Sequence, residues 1–128
     1  MEIIKTKIQG LYLIENFVAE DPRGRFCKTF HKEKFQNLGL NTVWRESFYS
    51  VSKKNTIRGM HFQIPPNDHE KLIYVPQGSI LDVILDLRKN SSTYGNSISF
   101  EINAENYNSI YIPKGCSHGF KSLASTLK

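Results

Sequence analysis

The chain has 128 residues, 39% of them hydrophobic and 23% charged, and its formal net charge is +5. That length suits one domain with a real core, and the composition excludes a disordered chain. No apolar run approaches the roughly 20 residues of a membrane-spanning helix. The mild basic excess favours an anionic ligand, and it equally fits nonspecific contact with nucleic acid or a merely solvated basic surface. The basic residues are scattered and follow no aromatic ladder, so neither nucleic acid nor membrane is an expected partner.

In chain order, Met1 to Gln9 is interrupted by Glu2, Lys5 and Lys7 and does not read as a signal peptide. The first strong turn signal is Asp21-Pro22-Arg23-Gly24. The segment His31 to Leu38 reads as a short helix stopped by Gly39. Further turns are expected at Pro65-Pro66-Asn67-Asp68, Pro76-Gln77-Gly78, Asn90-Ser91-Ser92 and Pro113-Lys114-Gly115. Between them lie strands. In Ser79 to Leu87, Leu81, Val83, Leu85 and Leu87 face one way and Ile80, Asp82, Ile84 and Asp86 the other. In Ser97 to Asn103, Ile98, Phe100 and Ile102 share a face. Short strands with regular turns predict an all-β sandwich or jelly-roll barrel with one short helix, in a single domain over residues 1–128. Cys27 and Cys116 are far apart and in no CxxC spacing, which argues against a disulfide framework or redox motif, and a reducing cytoplasm is the expected location.

Several residues carry possible chemistry. His61 lies in Arg58-Gly59-Met60-His61-Phe62-Gln63, where strict alternation puts Gly59, His61 and Gln63 on one face. Histidine titrates near neutrality and is a natural base beside a carbonyl, although an isolated histidine is more often structural. His118 follows the Ile112-Pro113-Lys114-Gly115 turn, which would aim its ring at a barrel interior. Asp82, if inward, needs a partner such as an imidazole; otherwise its face is solvated. Lys71 begins Lys71-Leu72-Ile73-Tyr74-Val75 and could stabilise an enolate or bind phosphate at a strand's mouth. Arg23 and Arg58 could fork to a diphosphate, and Phe26 could stack on a base. Histidine and acidic residues offer some metal ligands, but Gln63 stands where an HxH pair would place its second histidine, so no metal is expected.

Six ordered motifs make this set more specific than its parts. They are Asp-x-Arg-Gly-x-Phe at 21–26, Arg-Gly-Met-His-Phe-Gln at 58–63, and Lys71-Leu72. Next come Asp82-Val83-x-x-Asp86-Leu87-Arg88-Lys89 with Ser92-Thr93-Tyr94-Gly95, then Asn103-Ala104-Glu105-Asn106, and Ile112-Pro113-x-Gly-x-x-His118-Gly119-Phe120. In this order and spacing the chain resembles the dTDP-4-dehydrorhamnose 3,5-epimerases. The resemblance implies a metal- and cofactor-independent cupin jelly roll that forms a homodimer and acts on a dTDP-4-keto-6-deoxyhexose. It implies His61 as the base at C3 and C5, Lys71 beside the enolate oxygen, and His118 and Arg58 lining the sugar site. Arg23 and Phe26 would hold the diphosphate and base, and Glu2 to Ile8 would add a strand to a partner. A different class of reading is a catalytically silent nucleotide-sugar-binding or structural cupin.

Two positions depart from the family pattern in the region of substrate preference: Lys28 replaces a usual Glu, and Glu46-Ser47-Phe48 replaces Gln-x-Asn. Strict alternation also sends Arg58 to the face opposite His61, so both reach one site only through a bulge or a long arginine arm. The family pattern runs for dozens of residues past His118-Gly119-Phe120, with a general-acid tyrosine, an aspartate paired with the base, and closing strands. These have no counterpart in the 128 residues. The expectation is therefore a slow epimerase, or one in which Tyr49 or Tyr74 serves as the acid.

Overall fold

The structure is a computed structural model, and it describes residues 1–124. Among these it contains ten strands and one short helix, as the periodicity predicts. The strands are β1 (Glu2–Lys5), β2 (Tyr12–Glu15), β3 (Phe17–Asp21), β4 (Gly24–Lys28) and β5 (Ile57–His61). They continue with β6 (Lys71–Tyr74), β7 (Ser79–Asp86), β8 (Ser97–Asn103), β9 (Asn108–Ile112) and β10 (Cys116–Ala124). One antiparallel sheet has the order β1-β2-β9-β6, a second has β5-β10-β7-β8, and β3 with β4 forms a separate ribbon.

The inner faces of the two larger sheets make one core. Ile110 and Ile112 of the first sheet meet Ile80, Ile84 and Ile102 of the second, with Leu13, Ile73, Phe100 and Phe120 packed around them. Each fully buried isoleucine contributes about 1.5–3 kcal/mol. The expected face of Ile98, Phe100 and Ile102 is the one that packs inward. On β7 the inward set is Ile80, Asp82, Ile84 and Asp86, so both carboxylates enter the core instead of facing water.

The helix α1 (Lys32–Asn37) covers the outer face of the first sheet. His31 caps it by accepting a hydrogen bond from the Lys34 amide. Its end is a Schellman turn: Gly39, at φ +70°, donates to the Gln36 carbonyl, and Leu40 donates to the Phe35 carbonyl. Phe35 is fully buried and stacks edge-on against Phe30 and Tyr111, with Trp44 and Leu72 beside them.

Within the chain, the amino-terminal strand Glu2–Lys5 pairs with Tyr12–Glu15 and is the edge strand of its sheet. The reason is local. Thr6 Oγ1 donates to the carbonyls of Ile8 and Leu11, closing a tight connection whose Ile8 and Leu11 are anchored in the core.

Candidate active site

The site is built where β5 and β10 pair. His61 stands opposite His118, and Arg58 stands opposite Phe120, with a register shift between these pairs. Between these pairs one residue of β10, Gly119, faces two of β5, Gly59 and Met60, which is a bulge on β5. Directly opposed residues share a face of the sheet, so the bulge turns Arg58 and His61 onto the same face. Strict alternation had placed Gly59 there, and the register overturns it.

The register continues into β7, where His118 opposes Ile84 and Phe120 opposes Asp82. Two rows of side chains thus cross the inner face. One runs His61, His118, Ile84; the other runs Arg58, Phe120, Asp82. The His118 Nδ1 lies 3.2 Å from Asp82 Oδ1. With the carboxylate accepting, Nδ1 carries the proton and Nε2 is the ring nitrogen left for a ligand. Asp82 is 0% exposed, and among the described residues its Oδ2 has no hydrogen-bond partner.

Lys71 lies on β6 in the facing sheet, opposite Ile112 and in alternation with Ile73, which places it on the inner face. Burial lowers its pKa, partly offset by the charge of Asp82. Burial likewise raises the pKa of Asp82, against the opposing pull of the His118 hydrogen bond and the charges of His118 and Lys71. The lysine and the carboxylate thus act on one another across the barrel. His61 is exposed, and among the described residues its ring has no hydrogen-bond partner. Arg58 is tethered instead: its Nε donates to Ser52 Oγ at 3.1 Å and its Nη2 to the Val51 carbonyl at 3.4 Å.

The remaining sequence-derived candidates sit elsewhere. Arg23, Phe26 and Lys28 lie on the β3–β4 ribbon. Arg23 is 90% exposed in its side chain and held by Asp21, with Nη2 to Oδ2 at 2.6 Å. Arg25 and Val18 turn toward the body of the molecule, where the Arg25 guanidinium donates to Tyr107 Oη and lies 5.5 Å from the centre of its ring. Phe17, Phe26 and Lys28 share the opposite face, which points away from that contact. A cleft of about 410 Å³ under the ribbon is lined by Glu15, Asn16 and Tyr107, not by the histidines. Glu46 and Tyr49 lie exposed on a segment without regular pairing. Tyr74 alternates with Lys71 and Ile73 and faces outward beside Leu72, away from the site.

The sequence assigns no role to Ser52 or Phe120. Ser52 reaches Arg58 by a hydrogen bond from outside the strands, and Phe120 stands between Arg58 and Asp82 through the β5–β10 and β10–β7 registers.

With the geometry in place, comparison with known proteins is decisive. Residues 5–128 match the family model for dTDP-4-dehydrorhamnose 3,5-epimerase. The enzyme of that name from Salmonella typhimurium is 37% identical over 97% of this chain and 68% of its own. The one from Methanothermobacter thermautotrophicus is 40% identical over 94% of this chain and 65% of its own. A crystal structure from Elizabethkingia anophelis superimposes with a TM-score of 0.92 at 37% identity, covering 98% of this chain and 69% of that one. The Legionella pneumophila epimerase, solved with dTDP-4-keto-L-rhamnose, superimposes with a TM-score of 0.91 at 34% identity, over 97% of this chain and 66% of that one. The chain spans about two thirds of the length of these relatives. The two packed sheets are the cupin jelly roll, and the chain belongs to the dTDP-4-dehydrorhamnose 3,5-epimerase family of isomerases.

Proposed function

We propose that this chain inverts stereocentres beside the 4-keto group of a dTDP-4-keto-6-deoxyhexose by proton removal and return, with His61 as the base. The carbonyl acidifies the hydrogens at C3 and C5. When an imidazole nitrogen takes such a proton, the C–H electron pair moves into an enolate whose charge rests on O4. Lys71 stabilises that oxygen, and return of a proton to the opposite face completes the inversion. His118 lines the sugar site with its Nε2 presented, and Asp82 holds its ring. Arg58, on the same face, reaches the diphosphate at the edge of the sugar site. Arg23 and Phe26 serve the diphosphate and the base, while Lys28 and Glu46 sit where preference for nucleotide or sugar is set. The β3–β4 ribbon carries its Phe26 face outward, which suits a homodimer in which the ribbon serves the neighbouring copy. A cytoplasmic location fits such a substrate, and among the described residues no helix is long and apolar enough to cross a membrane.

The observation that carries this reading is the pairing of His61 with His118 on the inner face, opposite Lys71. The test is incubation with dTDP-4-keto-6-deoxyglucose in D₂O, following C3 and C5 by NMR. Deuterium should enter in the parent chain and fail to enter in His61→Asn. Exchange that persists unchanged in the variant would remove the base and the reading with it.

A further inference from the structure

The bulge that brings Arg58 and His61 to one face is closed by two glycines in backbone contact. A Cβ at Gly59 would lie 2.6 Å from the Gly119 Cα and 2.8 Å from the His118 carbonyl oxygen. A Cβ at Gly119 would lie 2.8 Å from the Arg58 carbonyl oxygen and 3.0 Å from Met60 Sδ. Real Cβ contacts do not come this close, and backbone atoms cannot rotate away as a flexible side chain does. Each glycine therefore presses on the main chain of a residue that lines the site: Gly59 on His118, Gly119 on Arg58. Gly59 also sits at φ +105°, a conformation that glycine alone adopts readily. At Gly119 the objection is steric only.

We propose that Gly59 and Gly119 are positioning residues of this site: their contact holds the β5 bulge, and the bulge sets Arg58 and His61 on one face at once. Without the bulge, alternation puts the two on opposite faces, so a diphosphate-binding arginine and a proton-abstracting histidine cannot serve one ligand. The role of the glycines rests on the proposed function, whereas the geometry they hold does not.

The experiment compares the parent chain, Gly119→Ala, and a variant lacking Met60, which restores regular alternation. Calorimetry with dTDP is run in a His61→Asn background, so that binding through Arg58 is read apart from catalysis. Proton NMR follows the cross-strand backbone contact between the paired His61 and His118 in the otherwise native sequence. Gly119→Ala should lose that contact and weaken dTDP about tenfold, the size of one lost guanidinium–phosphate bond. The variant lacking Met60 should bind no better than Arg58→Ala although its arginine is intact. A purely structural role would lower the melting temperature and leave the affinity of the folded fraction unchanged. That result in either variant, or a His61–His118 strand pairing that survives Gly119→Ala, overturns the proposal. If the parent chain itself neither binds dTDP nor exchanges deuterium, the proposed function falls, and the strand pairing still decides whether the glycines hold the histidine pair.

Discussion

Asp82 and Asp86 lie on the same strand, face the same core and are both 0% exposed, yet they occupy opposite electrostatic environments. Asp86 is saturated. Its Oδ1 accepts from the Arg88 amide and Nε, both at 2.9 Å, and its Oδ2 from Arg88 Nη2 at 3.1 Å, Ser91 Oγ at 2.7 Å and Thr93 Oγ1 at 2.6 Å. Burial opposes its ionisation, but the bonds from Arg88, Thr93 and Ser91 outweigh that and hold its carboxyl well below the usual range. Arg88 in turn donates to the Gln9 carbonyl, and its side chain fills the space where a Cβ at Gly115 would stand. One carboxylate thus ties together the β1–β2 connection, the β7–β8 loop and the turn that leads into the His118 strand.

Among the described residues Asp82 has one side-chain hydrogen-bond partner, His118, and its Oδ2 has none. An unsatisfied buried acceptor costs about 1–3 kcal/mol. A buried carboxylate that stays incompletely bonded between an imidazole and a lysine is a poor way to stabilise a fold and a suitable way to hold a reactive ring. Burial alone therefore does not tell a structural acid from a functional one. Completeness of its hydrogen bonding does.

The largest test of this contrast is Asp86→Ala. Removing one partner of a buried pair costs about 3–5 kcal/mol, because Arg88 is left without its counter-charge, and urea unfolding should show a loss of that size. Asp82→Asn should behave in the opposite sense. Its unfolding free energy should stay within about 1 kcal/mol of the parent, while deuterium exchange into the keto sugar falls about 10²-fold as the His118 ring loses its fixed orientation. Comparable losses of stability in the two variants would erase the distinction.

Thr93→Val sharpens it further. One charge-assisted bond to Asp86 is lost with little change of shape, and destabilisation of about 1.5 kcal/mol is expected by thermal or urea unfolding, with the rate of exchange unchanged.

The pH dependence of stability should separate the two acids as well. The folded pKa of Asp86 is depressed, so its contribution is present above its ordinary value of 3.8 and is lost as pH falls toward the folded value. The folded pKa of Asp82 is raised, so its effect has the opposite sign: stability is full below 3.8 and declines as pH rises through the folded value. Asp86→Asn should flatten the acid loss, and Asp82→Asn should flatten the decline above it. Both follow from unfolding curves collected between pH 2 and 7.

Much of the fold was legible because its signals are local. Ser97 to Asn103 alternates cleanly and has one buried face, so its orientation could be read directly. The helix at His31 to Leu38 declares its end through a glycine that accepts the left-handed conformation, while its capping histidine is seen only in the structure. The β7 strand was harder. Its more apolar face, with Leu81, Val83 and Leu85, is the less buried one and the inner one carries the acids, because Arg88, Ser91 and Thr93 satisfy one acid and His118 partners the other. None of those partners is adjacent to its acid in a way that periodicity reports.

By itself, the sequence determined the residue types, the alternating strands, the helix boundaries and the ordered motifs that mark the family. These depend on neighbours within a few positions, or on spacing that survives in the linear chain. The tertiary structure decided which face of β7 is buried, which partner Asp82 takes, and which residues of Arg58 to His61 share a face. That last choice turns on one extra residue in a strand, held by a contact between glycines sixty positions apart in the chain. A bulge reverses the facing of everything beyond it, and only the pairing strand shows where the extra residue lies.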